Sequence, residues 1–224
     1  MDFFPLFNSM RVASISTFIT FFAGIFAAYY IAKTPRAVKG ALDCILTLPL
    51  VLPPTVVGFF LLKTFGPLSP AGGFLLDVCG IKMTMTWYSA ILASAIVAFP
   101  LMVQPIRLSF QLINQQLEQV AATLGAKPLR VFCSISLPLA IPGIIIVSIL
   151  CFSRSLGEFG ATITFVGNIP DETRTIPIAI YSFLQQPNGE EMAMRLVMLS
   201  LLLAFSALIA NYVILQKYQK RLGG

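Results

Sequence analysis

Residues 118–138 read EQVAATLGAKPLRVFCSISLP, a polar stretch inside a chain that is 57% hydrophobic. Leu117, Val120, Ala121 and Leu124 fall at i, i+3, i+4 and i+7, which predicts a short amphipathic helix stopped by Gly125. Pro128 suits the first turn of a second helix, where no backbone donor is needed. Helix, glycine turn and helix then lead through "ISLP" into a further apolar run. Small residues at Ala121, Ala122 and Gly125 leave room for another backbone to come close. Such an elbow fits either a groove on a partner protein or a hairpin lying at a membrane surface.

The rest of the chain supplies the membrane. Its 224 residues are only 11% charged, the mean hydropathy is +0.87, and runs such as ASISTFITFFAGIFAAYYIA (13–32) follow one another. About 20 apolar residues cover a bilayer core of roughly 30 Å. Five spans are expected, at about 10–32, 41–63, 87–107, 139–165 and 195–216, the fourth long enough to tilt. The fold class is therefore an all-α integral membrane protein, one transmembrane domain over residues 1–224. The first apolar run is too long, and too weakly basic in front, for a cleaved signal peptide.

Charge sets the expected orientation. Of fifteen basic residues, nine share one side: Lys33, Arg36, Lys39, Arg107, Lys127, Arg130, Lys217, Lys220 and Arg221. The other side holds Arg11, Lys63, Lys82, Arg174 and Arg195, with Arg154 inside a span. The positive-inside rule then places the amino terminus outside and the carboxyl terminus in the cytoplasm. Segment 108–138 becomes cytoplasmic, and 64–86 and 166–194 become external loops. "TIPIAIYSFLQQ" reads as a short helix at the outer surface. Only nine residues follow Leu215, so no appended soluble domain is expected.

Composition also excludes functions. The basic groups flank apolar segments instead of forming one interleaved face, so nucleic acid is not the expected partner. The four cysteines form no disulfide framework, and the absence of histidine removes Ser-His catalysis and histidine metal sites. No GxxxxGK[ST] pattern occurs, so the chain is not expected to hydrolyse ATP itself.

The elbow carries a resemblance. Gly125, nine intervening residues and Ile135-x-Leu137-Pro138 are similar to the EAA loop of ABC-transporter permeases. The family pattern has Glu-Ala-Ala where this chain has Gln119, Val120 and Ala121, and Glu118 stands one position early. One residue rotates a helical side chain by about 100°. The resemblance implies docking on a separate ATPase through Glu118, Gln119, Ala121, Ala122, Gly125, Ala126, Lys127, Pro128, Ile135, Leu137 and Pro138.

Two further stretches narrow it. "SRSLGEFGATITFVGNIPDETRTIPIAIY" and "LPLVLPPTVVGFFLL" resemble the corresponding segments of molybdate permeases. That resemblance implies a homodimeric importer permease in a prokaryotic inner membrane, with two copies of a cytoplasmic ATPase and an external oxyanion-binding protein. ATP and magnesium would be used by the ATPase, with no cofactor on this chain. Tungstate importers are the nearest confusable relatives. Some relatives carry a carboxyl-terminal regulatory domain, which is not expected here.

The same stretches supply the candidate path. Arg154 and Glu158 stand at i and i+4 and can neutralise each other, where a lone charge costs at least about 2.5–3.5 kcal/mol in mid-membrane. They read as a structural ion pair or as part of a rearranging gate, with Gly157 and Gly160 allowing close helix approach and Thr162 beside them. Pro49, Pro53 and Pro54 interrupt the second span and free backbone carbonyls. Either neighbouring helices satisfy these, or Pro49 to Thr55 lines a path where Thr47 and Thr55 offer hydroxyls to an anion. Rival readings are an ion-coupled secondary transporter, which would need unpaired intramembrane acids, and an intramembrane hydrolase, which would need a Ser-Lys or carboxylate pair.

Overall fold

The computed structural model describes residues 3–222; the side chains of residues 36, 37, 215 and 217–222 lie outside the described set, so the contributions of Arg36, Lys217, Lys220 and Arg221 to the charge balance do too. Every regular element among the described residues is helical. The elements are α1 (Phe4–Lys33), α2 (Arg36–Val51), α3 (Pro54–Phe65), α4 (Pro70–Cys79), α5 (Trp87–Gln111), α6 (Gln115–Thr123), α7 (Pro128–Val131), a π turn (Phe132–Ser136), α8 (Leu137–Leu156), α9 (Gly160–Phe165), α10 (Ile176–Leu184) and α11 (Glu190–Leu222).

The core is the α1–α5 pair, with α8 packed on both. α1 buries Ser9, Ala13, Ser16, Thr20, Gly24 and Ala28, a stripe of small residues spaced three or four apart. α5 answers with Ser89, Ala90, Ala93, Ser94 and Ala98. In lipid no hydrophobic force drives helices together, so small side chains that permit close van der Waals packing decide the interface. The opposite face of α1 exposes Phe18, Phe22 and Phe26.

Contacts at the helix ends fix the path of the chain. Arg11 stacks its guanidinium 3.2 Å over the Trp87 ring, so the N-terminal ends of α1 and α5 share one face. Tyr29 meets Phe110 at 5.4 Å and Phe132 at 4.6 Å, so their C-terminal ends and the start of α8 share the other. α1 and α5 are thus parallel, and α2 to α4 must carry the chain back across between them. They do so as a broken span: Val38–Val51 and Pro54–Phe65 meet at 106°. Among the described residues four further helices are long and apolar enough to cross, giving up to five spans. α11 starts beside α10 near the amino terminus. At 1.5 Å per residue its 33 residues run about 50 Å, enough to end on the opposite face.

Two spans differ from the sequence expectation. The second, expected as one helix over 41–63, breaks at Leu52–Pro53, because Pro53 and Pro54 follow each other and neither donates a backbone hydrogen bond. The fourth, expected over 139–165, stops at Leu156; Gly157 caps α8, and α9 is a separate turn. The loop 64–86 contains α4. The helix expected at "TIPIAIYSFLQQ" is present as α10, but it packs Ile176 and Ala179 against α11 and α1 and is no mere surface helix.

Candidate functional site

The elbow forms as its spacing predicts. Asn114 caps α6 by accepting from Gln116 N–H at 2.9 Å. At the far end Gly125 has φ +83°, its N–H reaching Ala122 O and that of Ala126 reaching Ala121 O, each at 3.0 Å. This paired closure of the last helical carbonyls needs a left-handed residue, which glycine supplies without strain. Pro128 opens α7, which runs through the π turn into α8.

What the elbow presents is inverted from an ordinary amphipathic helix. Leu117, Val120 and Leu124 on α6 and Leu129 on α7 are all exposed, Leu124 at 82%. α6 buries none of its residues. The acid is the residue turned inward: Glu118 accepts from Lys33 at the end of α1 and from Ser136 Oγ, fully buried in the π turn, at 2.6 Å. Burial pushes the Glu118 carboxyl up, but the bonds from Lys33 and Ser136 and the Lys33 charge more than offset this and hold it below its ordinary value. An exposed ion pair contributes about 0–1 kcal/mol, so the bond to buried Ser136 carries much of this tie.

Of the other elbow residues singled out, Gln119, Ala122, Gly125, Lys127, Pro128 and Pro138 are exposed, and Ala121, Ala126, Ile135 and Leu137 are half-buried. A second ion pair, Asp43 with Arg107, joins α2 to α5. Nothing in the local sequence around Asp43 marks it as paired. Its partner lies 64 residues away, and the one available signal was that both charges sit at span ends of the same side.

The Arg154–Glu158 pair forms and is asymmetric, joining the last turn of α8 to the residues just after it. Arg154 and Glu158 lie 2.7 Å apart, with side-chain exposures of 33% and 2%. Glu158 also caps α9, its Oε1 accepting from Ala161 N–H at 2.9 Å. Gly160 sits against the α2–α3 break, where an added β-carbon would lie 2.9 Å from Pro54 Cβ. Gly157 makes no such approach.

The hydroxyls divide. Thr47 donates to Asp43 O at 2.5 Å and Thr162 to Phe159 O at 2.9 Å, so both are committed to their own helices. Thr162 is buried, whereas Thr55 and Pro53 are exposed at the break and Pro49 and Pro54 half-buried. The fold thus brings Pro54, Thr55, Arg154, Glu158 and Gly160 together around α9, and leaves Thr47 and Pro49 on α2.

A further tie escapes the sequence: Asn8 donates to Arg174 O at 3.3 Å, and Ser9 Oγ accepts from Ile176 N–H at 2.8 Å. Polar residues at the start of an apolar helix were its only trace. Among the described residues no group of His, Cys, Asp and Glu could hold a metal.

Comparison with known proteins agrees with this architecture. The family described as "Binding-protein-dependent transport system inner membrane component" matches residues 20–222. The molybdenum transport system permease protein ModB of Escherichia coli K12 is 46% identical, the alignment covering 96% of this chain and 94% of that one. A solved bacterial ABC transporter involved in alginate import has a chain of the same fold, with TM-score 0.78 at 17% identity over 96% of this chain and 78% of that one. The alginate transporter solved in complex with a substrate-bound periplasmic protein gives 0.73 at 18%, over 91% and 74%. The elbow and the broken second span therefore sit in a multi-pass chain that belongs to the family of inner membrane components of binding-protein-dependent transport systems.

Proposed function

We propose that this chain is the permease subunit of an ATP-driven molybdate importer. It works as a homodimer, bound to two copies of a cytoplasmic ATPase and visited by an external molybdate-binding protein. The amino terminus is outside and the carboxyl terminus cytoplasmic. The observation that carries the reading is the outward apolar stripe of Leu117, Val120, Leu124 and Leu129 on a polar elbow. A water-facing patch of this kind wants a partner, and the family and the likeness to ModB supply its class.

The chain lacks a nucleotide-binding motif, so ATP and magnesium act on the ATPase, and no cofactor sits here. Closure of the ATPase pair draws the two elbows together and switches the homodimer between inward-open and outward-open states. The anion passes between protomers beside the α2–α3 break, where Thr55 and the one-third-exposed Arg154 are the groups it meets. Glu158 keeps that cation from becoming a trap. Tungstate, a tetrahedral dianion of nearly equal size, is the alternative cargo.

The test is uptake of radiolabelled molybdate into proteoliposomes holding the chain, its ATPase and its binding protein, with tungstate and sulfate as competitors. Uptake that requires ATP and binding protein and resists sulfate supports the proposal. Uptake driven by an ion gradient without ATP would replace it with secondary transport.

A further inference from the structure

A polar tie, more than apolar packing, fixes α6 to the membrane helices. α6 buries no residue, and its main packing partners are α7 and the π turn. An open cleft of about 370 Å³, lined by Lys33, Lys39, Gln111, Gln115 and Glu118 among others, lies between α6 and the ends of α1 and α5. Asn114 caps one end of α6 and Gly125 turns the chain at the other.

Among the described residues, Glu118 is the one α6 side chain with polar bonds to two other elements. One carboxylate oxygen takes the Lys33 ammonium, from the last residue of α1. The other takes the Ser136 hydroxyl, one residue before α8. Beside it the rings of Tyr29, Phe110 and Phe132 join α1, α5 and the π turn. A π turn is wider than an α turn, and such turns are found mostly as single turns at functional sites.

We propose that Glu118 is a positioning residue for coupling: it fastens the elbow to α1 and α8 together, so that displacement by a docked ATPase reaches both helices instead of being absorbed by swinging of α6. The inference rests on the docking reading above. It gives Glu118 an inward role and leaves docking to Leu117, Val120, Leu124 and Leu129. The depressed carboxyl titration of Glu118 fits a group held in its charged form by these two bonds.

The experiment uses the full complex in proteoliposomes and reads three quantities: co-purification of the ATPase, ATP hydrolysed, and molybdate taken up per ATP. Glu118→Ala is expected to co-purify with the ATPase while uptake per ATP falls several-fold. Lys33→Glu with Glu118→Lys restores the ion pair, and the ammonium now carried by α6 can still donate to the Ser136 hydroxyl, so the double variant recovers uptake per ATP that either single variant loses. Should Glu118→Ala not be recovered from the membrane, Ser136→Ala removes one hydroxyl and carries the same expectation.

Loss of co-purification by Glu118→Ala, unrescued by the double variant, would make Glu118 a docking contact and overturn the inference. Unchanged uptake per ATP would overturn it equally. Leu124→Asp is the separate control: if that variant still co-purifies, the docking face is wrong, while uptake per ATP in the Glu118 variants still judges the tie.

Discussion

Gly58 on α3 and Ala161 on α9 meet through their backbones: a β-carbon on Gly58 would stand 2.7 Å from the Ala161 carbonyl oxygen and 2.9 Å from Thr164 Cβ. Backbone cannot yield as a side-chain tip can, so Gly58→Ala must push α3 away from α9. Overpacking of this kind costs about 1–3 kcal/mol. Thermal unfolding in detergent should show it, with Gly40→Ala as the contrast. A β-carbon there meets nothing within 4 Å, and inside α2 the alanine should stabilise by about 0.5–1 kcal/mol. Equal midpoints for the two variants would mean that α3 and α9 are not held this closely.

Glu158 and Arg154 cannot simply be exchanged. Glu158 accepts from Ala161 N–H as well as pairing with Arg154, and an arginine in its place has no acceptor to offer. Arg154→Glu with Glu158→Arg should therefore destabilise the protein even though both charges are kept, by about 1–3 kcal/mol for the buried Ala161 N–H left without its acceptor. Glu158→Gln keeps an oxygen for Ala161 and should remain folded. Membrane yield and unfolding midpoints separate the two. A stable reversed pair would show that the cap contributes little.

The spans and the elbow were legible because both rest on local patterns. Apolar length marks a span, and the 3.6-residue spacing with Gly125 and Pro128 marks the elbow. The break at Leu52–Pro53 was half legible: the prolines announced a disturbance, but a 106° bend depends on α9 filling the angle, where Gly160 meets Pro54. The inward turn of Glu118 was not legible, since Lys33 lies 85 residues away. An i, i+3, i+4 stripe says which residues share a face, not which way that face points. Here the apolar face points to water, the opposite of the usual burial rule.

Glu118 also makes a pH prediction. Its folded carboxyl titrates below the ordinary 4.5, so its contribution to stability is fully present above that value and is lost as pH falls through the lowered one. Wild type should therefore be more stable than Glu118→Gln near neutral pH, and the gap should close as the pH is taken from neutral to below 4.5. Thermal midpoints of both proteins across that range provide the check. A gap that widens toward acid would mean the carboxylate is strained in the fold, not held by Lys33 and Ser136.

Gly125 separates backbone from contact effects at the elbow. Its φ of +83° is one that L side chains rarely adopt, yet a β-carbon there meets nothing within 4 Å. Only backbone strain should then matter, about 1–2 kcal/mol for alanine and less for asparagine, whose side chain tolerates the left-handed region. Proline, its φ fixed at about −65°, cannot take the conformation at all. Molybdate uptake and ATPase co-purification should fall in the order Gly, Asn, Ala, Pro. Were Ala to match Asn, the turn would not be under strain; were Asn to fail as completely as Pro, the open space around Gly125 must be filled by the docked partner, and the glycine would be a contact instead of a turn.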